Sequence, residues 1–235
     1  MVQEKASAFS AEVLKKQMMA NRIIYALALY AQSATSADRI RSMKKNREPA
    51  PLSFKITKPT KSQLLSAYGK PVPDVIAPRL RVLFVGINPG LYSGAVGHHF
   101  ARPGNRFWPV LYKAGFTEQQ LSPVEERVLL KHGYGITNIV NRSTATAAEL
   151  DQQELKSGRA RLVKKIRRTR PRVVAILGIQ AFRIAFGNPK AGFGPQEERI
   201  GKSQLWVLPN PSGLNASYQL PALSRMFRKV RMAAE

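Results

Sequence analysis

The stretch Leu80-Arg81-Val82-Leu83-Phe84-Val85, followed at once by Gly86-Ile87-Asn88-Pro89-Gly90, decides the fold. A short apolar run that stops at Gly or Pro reads as a strand buried on both faces of a parallel sheet. Val173 to Leu177 and Leu205 to Leu208 repeat the pattern, and Tyr134 to Ile139 reads as a further short strand. Working outward, helices with start signals separate these runs: Ser122-Pro123-Val124-Glu125 and Asp151-Gln152-Gln153-Glu154 are both of the capping-box type. The second helix carries Leu155, Leu162, Val163 and Ile166 on one face and stops before Pro171. A closing helix runs from about Pro221, with Leu223, Met226, Phe227 and Val230 in register. Strands alternating with helices predict an α/β fold of three layers, α/β/α, around a mostly parallel sheet of about four strands.

The totals narrow the function. The chain has 235 residues, of which 38 are Lys or Arg and 14 Asp or Glu, a formal charge of +24 that points to a polyanionic partner. Cysteine is absent, which excludes disulfides, cysteine nucleophiles and thiolate metal sites. His98, His99 and His132 lack ligand spacing, so no metal is expected. The longest apolar candidate, Ile23 to Ala31, is about half of what spans a bilayer, and no membrane role is expected. Residues 1–60 read as a basic extension, partly helical around Glu12 to Ala31 or flexible, with a cluster at Arg39, Arg41, Lys44, Lys45 and Arg47. Phosphate contact and a functionless tail both remain open for it; Glu4 and Glu12 argue against an organelle-targeting peptide. Residues 61–235 are expected to form the functional domain.

Ligands of open parallel sheets bind beyond the carboxyl ends of the strands. Two loops sit there. Gly86 to Gly90 follows the first run, and Pro209-Asn210-Pro211-Ser212-Gly213-Leu214 follows the run Leu205 to Leu208. Taken alone, Asn-Pro-Gly is an ordinary turn. Neither loop has a dinucleotide glycine series or a phosphate-loop lysine, which argues against nicotinamide or nucleoside triphosphate chemistry. The basic run Arg159, Arg161, Lys164, Lys165, Arg167, Arg168, Arg170 and Arg172 reads mainly as a solvated helix face.

Gly86-Ile87-Asn88-Pro89-Gly90, Gly97-His98-His99-Phe100 with Gly104-Asn105-Arg106-Phe107-Trp108, Tyr134-Gly135-Ile136-Thr137-Asn138 and Asn210-Pro211-Ser212-Gly213-Leu214 occur in this order. Together they resemble the mismatch-specific uracil-DNA and thymine-DNA glycosylases of the uracil-DNA glycosylase superfamily, over about residues 78–231. The resemblance implies that Asn88 positions the attacking water. An amide cannot take a proton as a carboxylate does, so a slow enzyme is expected. Charge stabilisation remains, and backbone N–H groups near the first loop are candidates to hold the departing uracil anion; the resemblance implies that Gly86, Ile87, Pro89 and Gly90 of this loop border the base. Phe100 matches an aromatic that stacks on the extruded base, against its reading as a core residue. His99 and Asn138 match positions that approach the base; a loop or cap role stays open for His99.

Leu214 matches a wedge that fills the place of the flipped nucleotide, and Gly213 would let the backbone near the duplex. Asn210, Pro211, Ser212 and Asn215 complete that strand-contacting loop. Ala216 stands where the bacterial branch often has an Arg that reads the unpaired guanine, so the resemblance does not carry guanine preference. Asn138 is nearer the eukaryotic motif than the common bacterial Lys, which implies a wider base range. The expected activity is monofunctional excision of mispaired uracil, with thymine or a modified cytosine as further candidates. It needs no cofactor and no metal, and the expected partner is double-stranded DNA, met by a monomer in the cytoplasm at the nucleoid. A broad uracil glycosylase that also takes single strands and a non-catalytic mismatch-binding recruiter are the rival readings.

Overall fold

A computed structural model describes residues 56–235; the helix expected at Glu12 to Ala31 and the basic cluster at Arg39 to Arg47 lie outside the described residues. Five strands form one sheet: β1 (Val82–Gly86), β2 (Tyr134–Asn138), β3 (Val173–Leu177), β4 (Gly194–Ile200) and β5 (Ser203–Leu208), in the order β2-β1-β3-β5-β4. β2, β1, β3 and β5 are mutually parallel, and β4 pairs antiparallel to β5. The sequence reading of about four strands is one short. β4 alternates partly buried and exposed residues and carries Glu197, Glu198 and Arg199, so it lacks the apolar run that marks β1, β3 and β5. It is an edge strand, and charge on an edge opposes pairing with another chain. The opposite edge is covered by Val75, whose N–H and C=O both bond Ile136.

Every residue of β1, β2 and β3 is buried, because the sheet is covered on both sides. On one face Phe84 packs among α3 (Phe107–Lys113) and α6 (Leu220–Ala233), meeting Phe107 and Phe116 edge-on and stacking with Phe227. On the other, Leu83, Val85, Val174 and Ile176 meet Leu155, Leu162 and Ile166 of α4 (Gln152–Thr169) and Phe182 of α5 (Ile179–Phe186). α1 (Lys61–Ser66) and α2 (Leu91–Val96) are single short helices beside the sheet. The Asp151 capping box forms as its sequence implies: Asp151 Oδ1 accepts from the Glu154 N–H at 2.7 Å, and Glu154 accepts in return at 3.2 Å. The Ser122 signal opens a 3₁₀ segment (Pro123–His132) rather than an α-helix. Its Glu125 does reach back to the Ser122 N–H at 2.8 Å.

Candidate active site

The carboxyl ends of the parallel strands share one rim. From β1 the chain crosses to β2 on one side, and β3 takes the other, so the crevice between β1 and β3 is the switch point at which such sheets bind ligands. A cavity of about 260 Å³ opens there. Gly86, Ile87, Asn88, Pro89, Gly90, His99, Phe100, Asn138, Asn210, Ser212 and Leu214 line it, so loops about 120 residues apart do converge. Pro211, Gly213 and Asn215 lie outside that lining. Pro211 is buried, and Asn215 braces the loop by donating from Nδ2 to the Asn210 carbonyl at 3.0 Å.

Asn88 is held in one orientation. Its Nδ2 donates to the Arg142 carbonyl at 3.0 Å and to Thr144 Oγ1 at 2.7 Å. The single proton of the Thr144 hydroxyl goes to the Thr146 carbonyl at 2.7 Å, so toward Asn88 that oxygen can only accept. Both amide protons are therefore committed, and Oδ1 is left as an acceptor at the cavity. The support continues outward: Arg142 binds the Glu154 carboxylate through Nε and Nη2, and the same carboxylate completes the α4 cap. That ion pair and cap hold the Glu154 carboxyl down at about 2.

The cavity floor is built around a missing side chain. A Cβ on Gly86 would stand 2.4 Å from Asn138 Oδ1 and 3.3 Å from Phe100 Cζ. Glycine at this point lets the Asn138 amide lie across the end of β1. His99 is 2 % exposed, with Nε2 at 2.9 Å from the Pro73 carbonyl. A carbonyl accepts only, so Nε2 carries the proton and Nδ1 is free to accept from Asn138 Nδ2, at 3.5 Å. Burial pushes the His99 imidazole below its ordinary value, against the pull of the Glu126 and Asp74 carboxylates. The ring is neutral at pH 7. Buried Glu126 fixes both histidines: Oε2 accepts from the His99 N–H at 2.8 Å, and Oε1 lies 2.9 Å from His98 Nδ1. Phe100 is partly buried against the core and also borders the cavity. One ring face stacks on Phe107 with centroids 4.0 Å apart, while the rest lines the cavity from a left-handed backbone, φ 53°.

The loop after β5 is held differently. Leu214 is 72 % exposed at the cavity mouth. Behind it, the Arg106 guanidinium donates to the carbonyls of Gly213 at 3.1 Å, Asn215 at 2.9 Å and Tyr218, and the Arg106 N–H donates to the Pro211 carbonyl at 2.9 Å. Gly213 is required by packing within the protein: its Cβ would meet the Gly104 carbonyl at 2.6 Å. Arg106, Thr144, Glu126 and Pro73 are site residues that the sequence reading did not assign. Arg106 stood inside a quoted motif, but its partners are backbone carbonyls, which leave no residue pattern.

Among the described residues no Asp, Glu or Lys lines the cavity, and Arg102 and neutral His99 are the titratable groups there. The arrangement can orient water and hold a planar base through amide groups, without a strong proton acceptor. Among the described residues there is no cluster of His, Cys, Asp or Glu able to hold a metal ion, and no helix long and apolar enough to cross a membrane. The sequence model of the uracil DNA glycosylase superfamily matches residues 73–233.

Proposed function

The chain belongs to the uracil DNA glycosylase superfamily, whose members remove uracil-type lesions from DNA, and from that premise we propose that it excises mispaired uracil from duplex DNA. The observation that carries the proposal is the Asn88 amide at the cavity lining, with both protons committed and Oδ1 accepting no hydrogen bond among the described residues. A water donating to Oδ1 is oriented toward C1′ of a flipped nucleotide. Its oxygen bonds C1′ as the C1′–N1 bond breaks, the bond electrons leave with uracil as its anion, and the excess proton passes to solvent. With no carboxylate at hand, the acceleration rests on orientation and on stabilising the separating charges. The reaction is accordingly slow.

Asn138 supports the reading of uracil. Its amide presents one acceptor and one remaining donor, matching the N3–H and O4 of uracil; cytosine has the reverse pattern. Neutral His99 keeps that amide from turning over. Phe100 offers apolar surface to the base, and Leu214 fills the stack behind it, offsetting part of an unstacking cost of a few kcal/mol. Among the described residues no lysine lines the cavity, which supports cleavage that stops at the abasic site, since a lyase would need a Schiff-base amine. Residues 61–235 are assigned this activity, and the basic residues 1–60 supplementary phosphate contacts.

Recognition of the opposite guanine has less support. The Ala216 side chain provides no hydrogen-bonding group, and Arg106 is committed to carbonyls. The discriminating experiment is single-turnover cleavage of labelled G·U, A·U and G·T duplexes and of single-stranded uracil DNA. Fastest conversion of G·U sustains the mismatch reading. Equal rates on G·U, A·U and single strands replace it with a broad uracil glycosylase.

A further inference from the structure

The cationic residues at the end of the molecule opposite the cavity have no part in the reaction described. The amino ends of the parallel strands meet there, as the backbone bonds show: the Arg81 N–H donates to the Gly133 carbonyl, Arg172 to Leu80, and Gln204 to Arg172. Arg79, Lys131, Arg167, Arg168, Arg170 and Lys202 are exposed around this pole, and none of the six forms an ion pair among the described residues. Elsewhere on α4, Arg159 pairs with Glu198 at 2.9 Å and Lys165 with Asp74 at 2.7 Å, while exposed Lys156, Arg161 and Lys164 form no ion pair among the described residues. At the pole the Glu235 side chain is paired with Arg231 and lies 4.0 Å from Arg81.

Compensation of the α4 dipole accounts for Arg167 and Arg168 in its last turn, but not for the other four. Two of those, Arg79 and Arg170, have left-handed backbones with φ of 56° and 51°, where glycine is the usual residue. They are neighbours, since the Arg79 N–H donates to the Thr169 carbonyl at 2.6 Å. Long cationic side chains are thus present at a backbone site that favours having none.

We propose that this pole is a second DNA-binding surface, which holds a separate duplex segment by its phosphates while the rim engages another. The 18 residues of α4 span about 27 Å from rim to pole, so one straight duplex does not reach both. Contact with phosphates alone is independent of sequence and sensitive to salt. The inference rests on DNA as the partner and not on which base is removed.

The test uses the full chain. A duplex containing 2′-fluorinated uracil opposite guanine, which resists hydrolysis, is immobilised and saturated with protein; capture of a labelled undamaged duplex is then measured against salt. Native protein is expected to capture it at low salt. The variant Arg167→Gln/Arg168→Gln/Arg170→Gly is expected to lose capture by about tenfold or more and to flatten the salt slope by about 3, with uracil release within about twofold of native. Lys202→Glu, in the β4–β5 turn and outside the helix, guards against misfolding of the triple variant and is expected to weaken capture by about threefold or more. Capture unchanged in both variants, as two copies each using a rim would give, overturns the proposal. So does a native chain that captures nothing, or one that captures double-stranded RNA in preference to DNA. Capture by a native chain that releases no uracil supports this inference while defeating the proposed activity.

Discussion

The cavity floor and the loop after β5 meet at one mouth but are secured in opposite ways. On the floor, Asn88, Asn138 and His99 are fixed through side chains that are themselves fixed, in a chain running from Thr146 and Glu154 at one end to Pro73 and Glu126 at the other. The outer loop is tied to the body by Arg106, through its guanidinium and its backbone N–H, is braced within itself by Asn210, Ser212 and Asn215, and leaves its apolar tip in solvent. A group that must orient a water needs every rotamer determined. One that must enter a base stack has its partner only when DNA arrives, and needs just a supported backbone.

This contrast breaks most directly at Gly86. Gly86→Ala places a methyl 2.4 Å from Asn138 Oδ1 and is expected to cut single-turnover release by about 100-fold, with a stability loss of about 1–3 kcal/mol from overpacking. Release rates and denaturant midpoints read the two effects. Next in size is Arg106→Ala, which frees three carbonyls at once. It is expected to lower release from a G·U duplex by about tenfold or more, a hydrogen bond to a charged group contributing roughly 1.5–3 kcal/mol. Uracil placed in an unpaired bubble should be spared much of that loss, because no stacked pair has to be opened. Leu214→Ala sharpens the contrast further. Its stability should change by less than about 0.5 kcal/mol, as for other exposed positions, while duplex release falls by about three- to tenfold because part of the unstacking cost is no longer offset.

The smallest effect concerns pH. The folded pKa of His99 lies below its unfolded value, so its contribution to stability is complete above about 6.5 and declines as the pH falls through the folded value. Release should be flat from neutral to mildly alkaline pH and drop only on the acid side, where a proton on Nδ1 would face the Asn138 amide protons. A pH–rate profile that rises through 6.5 toward acid would contradict a neutral His99.

Legibility in the sequence follows the same division. β1, β3 and β5 declared themselves by apolar runs, and the α4 start by its capping box, since both signals are local. β4 did not, because half its residues face solvent and its place is set by pairing with β5. Asn88 and Leu214, at loop positions, and Asn138, at the end of β2, could be singled out within ordered motifs. Thr144, Glu126 and Arg106 could not, for their roles depend on contacts with residues 56, 27 and 107 to 112 positions away. Gly213 had a visible identity but another physical reason, the nearby Gly104 carbonyl, which only packing discloses.

The central claim is that Asn88 carries the chemistry while other groups carry the binding. It is tested by measuring uracil release and duplex affinity together, for the native chain and Asn88→Ala, on a G·U duplex under single-turnover conditions. The account predicts alkali-labile abasic sites with native protein and a variant slower by about 10²-fold or more that binds the duplex within a few-fold of native. A variant that cuts at the native rate, or a native chain that binds the mismatch and cuts nothing, would contradict it.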